Sequence, residues 1–185
     1  LGVDMLSASA HKFNGPKGVG FLYIRNGIEI LPYSDGGAQE SGLRAGTENI
    51  AGIVGMAVAL KNNCDALEEN VKHVRGLESK LVDMLDNTGI QYTRNGGADR
   101  LPGLVSLSFP GIEGEAILHR LDLNGICVST GSACNSKSTE VSHVLQAIRL
   151  EDSYAKGTIR ISLGKANTED EVEAIFNALV KIFRI

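Results

Sequence analysis

The chain has 185 residues, enough for one domain or two small ones. Apolar residues make up 43% and charged residues 22%, so a core can be buried and the composition is not that of a disordered chain. A net charge of −4, no Trp and no basic run argue against nucleic-acid binding, and neither a bilayer-spanning apolar run nor a signal-peptide pattern is present.

Taken in chain order, residues 3–8 read as a short buried strand, and residues 19–24 as a second one ended by the Asn26–Gly27 turn. The stretch SDGGAQESGLRAGTEN reads as a long ordered loop, a type that often carries function. A helix should begin near residues 47–49 and run through IAGIVGMAVAL. Another should span residues 64–87, because Leu67, Val71, Val74, Leu77 or Glu78, Leu81 and Leu85 recur at helical spacing and Gly89 suits a helix stop. His73 lies off that stripe and reads as solvated.

VSLSF alternates like a strand, GEAILHRLDLNG reads as a helix stopped by Gly125 with His119 exposed on it, and ICVST reads as a strand. Residues 140–149 should form a helix, TIRISL a strand and TEDEVEAIFNALVKIF the last helix. Thr168 and Glu171 are spaced as a capping box, and Val172, Ile175, Phe176, Leu179, Val180 and Phe183 form that helix's apolar stripe. From residue 51 on, helices and short strands mix without strict βαβ alternation. That pattern predicts an α+β unit in which helices cover an antiparallel sheet. The chain begins LGVDML, without an initiator Met and partway into an apolar strand. It is expected to be a fragment of a longer protein, or a processed chain.

Two residues are candidates for covalent chemistry. Lys12 directly follows an apolar strand, and Gly15, Pro16 and Gly18 shape the turn beyond it. A lysine fixed in this way can form a Schiff base with a carbonyl cofactor, with Ser9 and His11 beside it as phosphate ligands; the alternative is a surface lysine in a turn. Cys134 lies in STGSACNSKS, a Gly/Ser loop between a strand and a helix, where a thiol can be reactive. Cys127, in an apolar strand, and Cys64, on a helix, read as structural. Three cysteines at irregular spacing make neither a disulfide framework nor a zinc site, and a reducing cytoplasm is the default compartment.

Four ordered stretches carry a family resemblance. SASAHKFNGPKGVGFLYIR resembles the pyridoxal-phosphate (PLP) lysine segment of cysteine desulfurases, in the class V aminotransferase group, and GGAQESGLRAGTENIAGIVG resembles the segment that follows it. STGSACNS followed by HVL resembles the cysteine loop of the iron–sulfur-assembly subgroup, and TIRISLG its substrate-arginine strand. The pattern departs at Ala38 and Ser41, where the family often has Gly and Arg, with modest effects expected.

The resemblance implies an α/β, fold-type-I PLP-dependent transferase. Residues 1–50 would be the tail of the large cofactor domain and residues 51–185 the small C-terminal α+β domain. Lys12 would hold the cofactor covalently and later move protons, and Ser9 and His11 would hold its phosphate. Thr47 would reach the phosphate in the partner subunit of a homodimer. Arg160 would clamp the carboxylate of L-cysteine. Cys134 would take the sulfur as a persulfide, leaving alanine, and pass it to an iron–sulfur scaffold or other acceptor. The same cysteine could transiently ligate an iron–sulfur cluster; no other metal site, nucleic acid or membrane is expected. In the family the Asp facing the pyridine nitrogen, the His stacked on the ring and another phosphate-binding segment precede the lysine strand, so this chain alone is expected to be inactive. Alternatives are a selenocysteine lyase, another enzyme of the same fold, or a non-catalytic sulfur-accepting docking module.

Overall fold

The computed structural model describes residues 2–130 and 141–183. The chain divides into two compact units, Leu1–Leu67 and Glu68–Ile185.

The first unit holds an antiparallel hairpin of β1 (Met5–Ser9) and β2 (Gly20–Ile24), in register from Met5↔Ile24 to Ser9↔Gly20. Gly20 is required there, because a Cβ would lie 2.4 Å from the carbonyl oxygen of Ala8. Between the strands the chain makes a 3-10 turn, Ala10–Phe13, closed by Asn14 in the left-handed conformation (φ 64°). Both Asn14 and Gly15 donate backbone N–H groups to Ala10 O, the latter over 2.8 Å. The helix α1 (Ile50–Asp65) starts where expected, with Asn49 Oδ1 accepting from Gly52 N–H over 3.1 Å. Asn63 ties it to the turn by donating to Phe13 O over 2.7 Å.

This unit has almost no core of its own. Among the described residues its buried ones are Ala10, Ala45 and Gly52. Met5, Leu22, Tyr23, Leu31, Tyr33, Ile50, Val54, Val58 and Leu60 are exposed. Apolar residues run round α1 rather than along one stripe, the pattern of a helix made to be enclosed.

The second unit is the expected helix-covered antiparallel sheet. Strands β3 (Thr93–Arg94), β4 (Leu104–Ser108), β5 (Ser129–Thr130) and β6 (Thr158–Ser162) pair in the order β3-β4-β6-β5. The helices are α2 (Leu67–Asp86), α3 (Gly114–Asp122), α4 (His143–Ala147), α5 (Asp152–Ala155) and α6 (Glu169–Phe183). Period-two alternation sends Val105 and Leu107 of β4 and Ile159 and Ile161 of β6 into the core. There they join Leu77, Leu81 and Leu85 of α2, Ile117 and Leu121 of α3, and Val172, Ile175, Leu179 and Ile182 of α6. Each large side chain buried in this way contributes roughly 1.5–3 kcal/mol. Leu77 and Glu78 are both buried, while Leu67, at the start of α2, is exposed.

Gly157 is the tightest point of the sheet, where a Cβ would stand 2.0 Å from Phe109 O. This close approach lets Phe109 N–H bond Gly157 O over 3.1 Å. No helix among the described residues is long and apolar enough to cross a membrane.

Candidate active site

Ser9 ends β1, and His11 and Lys12 lie in the turn that follows. All three side chains are exposed, and among the described residues none of them makes a side-chain hydrogen bond or ion pair. The hairpin and the Ala10 carbonyl fix the backbone, and the hydroxyl, imidazole and amine project from it. Thr47, in the same unit just before α1, is also exposed and without a side-chain partner among the described residues. Between them the long loop is pinned by a parallel bridge, Ser34↔Arg44.

The two departures in that loop differ physically. Ala38 sits at φ −86°, which any residue adopts, whereas Ser41 (φ 58°) and its neighbour Glu40 (φ 50°) are left-handed.

Arg160 occupies the middle of β6, half-buried, on the face opposite Ile159 and Ile161. Its cross-strand partners are Ser106 on β4 and Ser129 on β5. Among the described residues its guanidinium makes one hydrogen bond, from Nη2 to Ser129 Oγ over 3.4 Å, and no ion pair. The rest of this face is polar too. Asn95 Nδ2 donates to Ser106 Oγ (3.0 Å) and Ser108 Oγ (2.7 Å), and the buried Ser108 hydroxyl meets that of Thr158 at 2.6 Å. The sequence names Arg160 as a candidate, and this network around it was not anticipated. The serines at alternate positions in VSLSF, between buried Val105 and Leu107, were the available sign of it.

Cys134 lies outside the described residues. Cys127 is exposed, contrary to the expectation of a strand-buried structural thiol. The reason is that the ladder takes up only Ser129 and Thr130 of ICVST, and half-burial of Ile126 and Val128 turns Cys127 outward. Cys64 on α1 is likewise exposed, again against expectation, because that helix buries only Gly52. His73 is exposed, as expected, but bonds Asn167 O at 2.9 Å. His119 is also exposed and stands 3.9 Å from Glu115.

Residues 1–175 match the family described as aminotransferase class-V. The chain belongs to the class-V aminotransferase family. Among its relatives in that family, a Clostridium botulinum (strain Hall) protein named cysteine desulfurase IscS is 46% identical over 187 aligned positions, covering 100% of this chain and 47% of that protein. A Dictyoglomus turgidum protein of the same name is 45% identical, covering 98% of this chain and 46% of its own length. Of solved structures, one titled NifS-like protein superposes with a TM-score of 0.86 at 44% identity over 98% of this chain and 46% of that one. Another, the NifS-like protein from Rickettsia africae, gives 0.87 at 31% identity over 100% of this chain and 48% of that one. The chain therefore spans about half the length of the relatives it matches.

Proposed function

We propose that this chain is part of a PLP-dependent cysteine desulfurase. The observation that carries this reading is the half-buried Arg160 guanidinium, left without an acidic partner among the described residues, in a chain whose 46%-identical relative bears that name. A half-buried guanidinium with no carboxylate beside it is suited to accept one from a ligand.

The residues at the end of β1 fit a phosphate-bearing aldehyde. They offer an amine with no partner among the described residues for covalent attachment, with a hydroxyl and an imidazole beside it as donors to an anion. Lys12 would hold the cofactor and carry protons, Ser9 and His11 would bind its phosphate, and Thr47 would reach the phosphate across a homodimer. Bound there, PLP supplies an electron sink for bond breaking at the substrate. Arg160 orients L-cysteine through its carboxylate. The Cys134 thiolate attacks the substrate sulfur. An S–S bond forms, the Cβ–S bond breaks, and its electron pair stays on carbon, which takes a proton to give L-alanine. The products are alanine and a persulfide on Cys134, for delivery to an iron–sulfur scaffold or another acceptor in the cytoplasm, whose reducing conditions preserve the thiol.

On its own the chain should not turn over. Its first unit leaves the apolar residues of α1 uncovered, and a cofactor has to be held on several sides.

The test is product analysis of the full-length protein with PLP and L-cysteine. Stoichiometric alanine and sulfide, abolished by Cys134→Ala while PLP stays bound, support the proposal. Amino-group transfer to a keto acid without sulfide release would make the protein an aminotransferase instead.

A further inference from the structure

The geometry points to Ser129 as a positioning residue for Arg160: its hydroxyl holds the guanidinium in the orientation in which it receives the substrate carboxylate. The inference rests on the reading of Arg160 as the carboxylate clamp and assigns a further residue to that site.

Three observations carry it. First, Ser129 and Arg160 are directly paired across β5 and β6, so their side chains emerge on the same face as neighbours. Second, Ser129 Oγ accepts from Arg160 Nη2 over 3.4 Å, the one hydrogen bond of that guanidinium among the described residues. Ser106, the cross-strand neighbour on the other side, has its hydroxyl tied to Asn95 instead. Third, Ser129 is itself held. Thr130, the other residue of β5, donates to Glu115 Oε1 over 2.7 Å and so fastens the strand to α3. The start of α3 is in turn fixed close to β6: Gly114 N–H donates to Lys156 O over 2.8 Å, and a Cβ on Gly114 would stand 2.6 Å from Thr158 O.

The consequence follows from side-chain entropy. A free arginine samples many rotamers, and freezing one on ligand binding costs conformational entropy. A single fixed acceptor removes part of that freedom beforehand while leaving most of the fork of donors for a ligand. The gain falls on binding and leaves the bond-breaking step untouched.

The experiment is steady-state kinetics for L-cysteine in the full-length, PLP-loaded protein. Ser129→Thr and Ser129→Val have the same shape and differ in the hydroxyl. Ser129→Val, like Ser129→Ala, should raise KM about three- to tenfold and leave kcat within about twofold, while Ser129→Thr stays within about twofold of the parent. Introduced into an Arg160→Ala background, Ser129→Val should add no further loss. Equal KM values for the Thr and Val variants, with Arg160→Ala strongly impaired, would overturn the role of Ser129 and leave the clamp standing. An undiminished Val effect in the Arg160→Ala background would show that Ser129 acts elsewhere. Unchanged KM in Arg160→Ala itself would remove the clamp, and the inference with it.

Discussion

Glu78 and Arg94 form a shielded ion pair between α2 and β3, with side chains 11% and 21% exposed. The second carboxylate oxygen of Glu78 accepts from the backbone N–H of Gly103 over 3.0 Å, so one residue fastens helix, edge strand and the approach to β4.

Removing that carboxylate strands two donors at once. Glu78→Ala leaves the Arg94 charge and the Gly103 amide uncompensated, in a place where Arg94 Nε already lacks a partner among the described residues. The expected loss is about 3 kcal/mol in urea denaturation, at the low end for a broken buried pair. A loss below about 1 kcal/mol would mean that water replaces the carboxylate.

The start of α6 gives a pH dependence. The capping box is complete: Thr168 N–H donates to Glu171 Oε2 over 2.9 Å, and Glu171 N–H donates to Thr168 Oγ1 over 3.3 Å. The Thr168 amide, with help from the Asn167 side chain, holds the Glu171 carboxyl below its usual pKa. Lys80 reaches across from α2 to both Glu169 and Glu173 at 2.7 Å, which lowers the Glu169 pKa and raises that of Lys80.

The sign is fixed by these directions. The two carboxylates contribute stability above their unfolded pKa values and lose it as pH falls through their depressed folded values. Lys80 contributes fully below 10.5 and loses its share as pH rises through its higher folded value. Thr168→Ala should cost about 1 kcal/mol at neutral pH, and Glu171→Gln, which removes the titrating carboxylate, should soften the acid limb of a melting-temperature profile. Lys80→Met should flatten both limbs, and an unchanged profile would show these contacts to be fully screened.

Arg149 follows α4 with φ 56°, in a place that usually takes glycine. Its N–H bonds Gln146 O and the next N–H, of Leu150, bonds Leu145 O, which closes the helix end. Arg149→Gly should therefore stabilise the protein by about 0.5–1 kcal/mol, read as a raised denaturation midpoint. A lower midpoint would show that the arginine side chain contributes a contact larger than the backbone strain.

The elements with strong local patterning could be read from the sequence. The Val172–Phe183 stripe, the Thr168–Glu171 box and the alternation of VSLSF each reflect forces acting within a few residues; the box and the alternation are found where expected, and the stripe is rotated slightly, burying Ala178 and Ile182 while Phe176, Val180 and Phe183 stay half-buried. Lys12 and Arg160 are named as candidates by motif resemblance, and their surroundings were not legible in the sequence. Whether Arg160 meets Ser106 or Ser129 depends on a strand order, β4-β6-β5, set by packing over fifty residues of separation. Cys127 was misread for the same reason: an apolar run announces burial, but how much of it joins the ladder is decided by the partner strand. The two-residue β3 and the four-residue α5 carry too little sequence to announce themselves.

The central claim is that Lys12 holds PLP covalently. It is tested most directly by borohydride reduction of the full-length, PLP-loaded protein, followed by peptide mass spectrometry. A reduced pyridoxyl-phosphate adduct is expected on Lys12, in the peptide containing SASAHKFNGPK, and disappears in Lys12→Ala. An adduct on another lysine, or none in a protein that still releases alanine from cysteine, would contradict it.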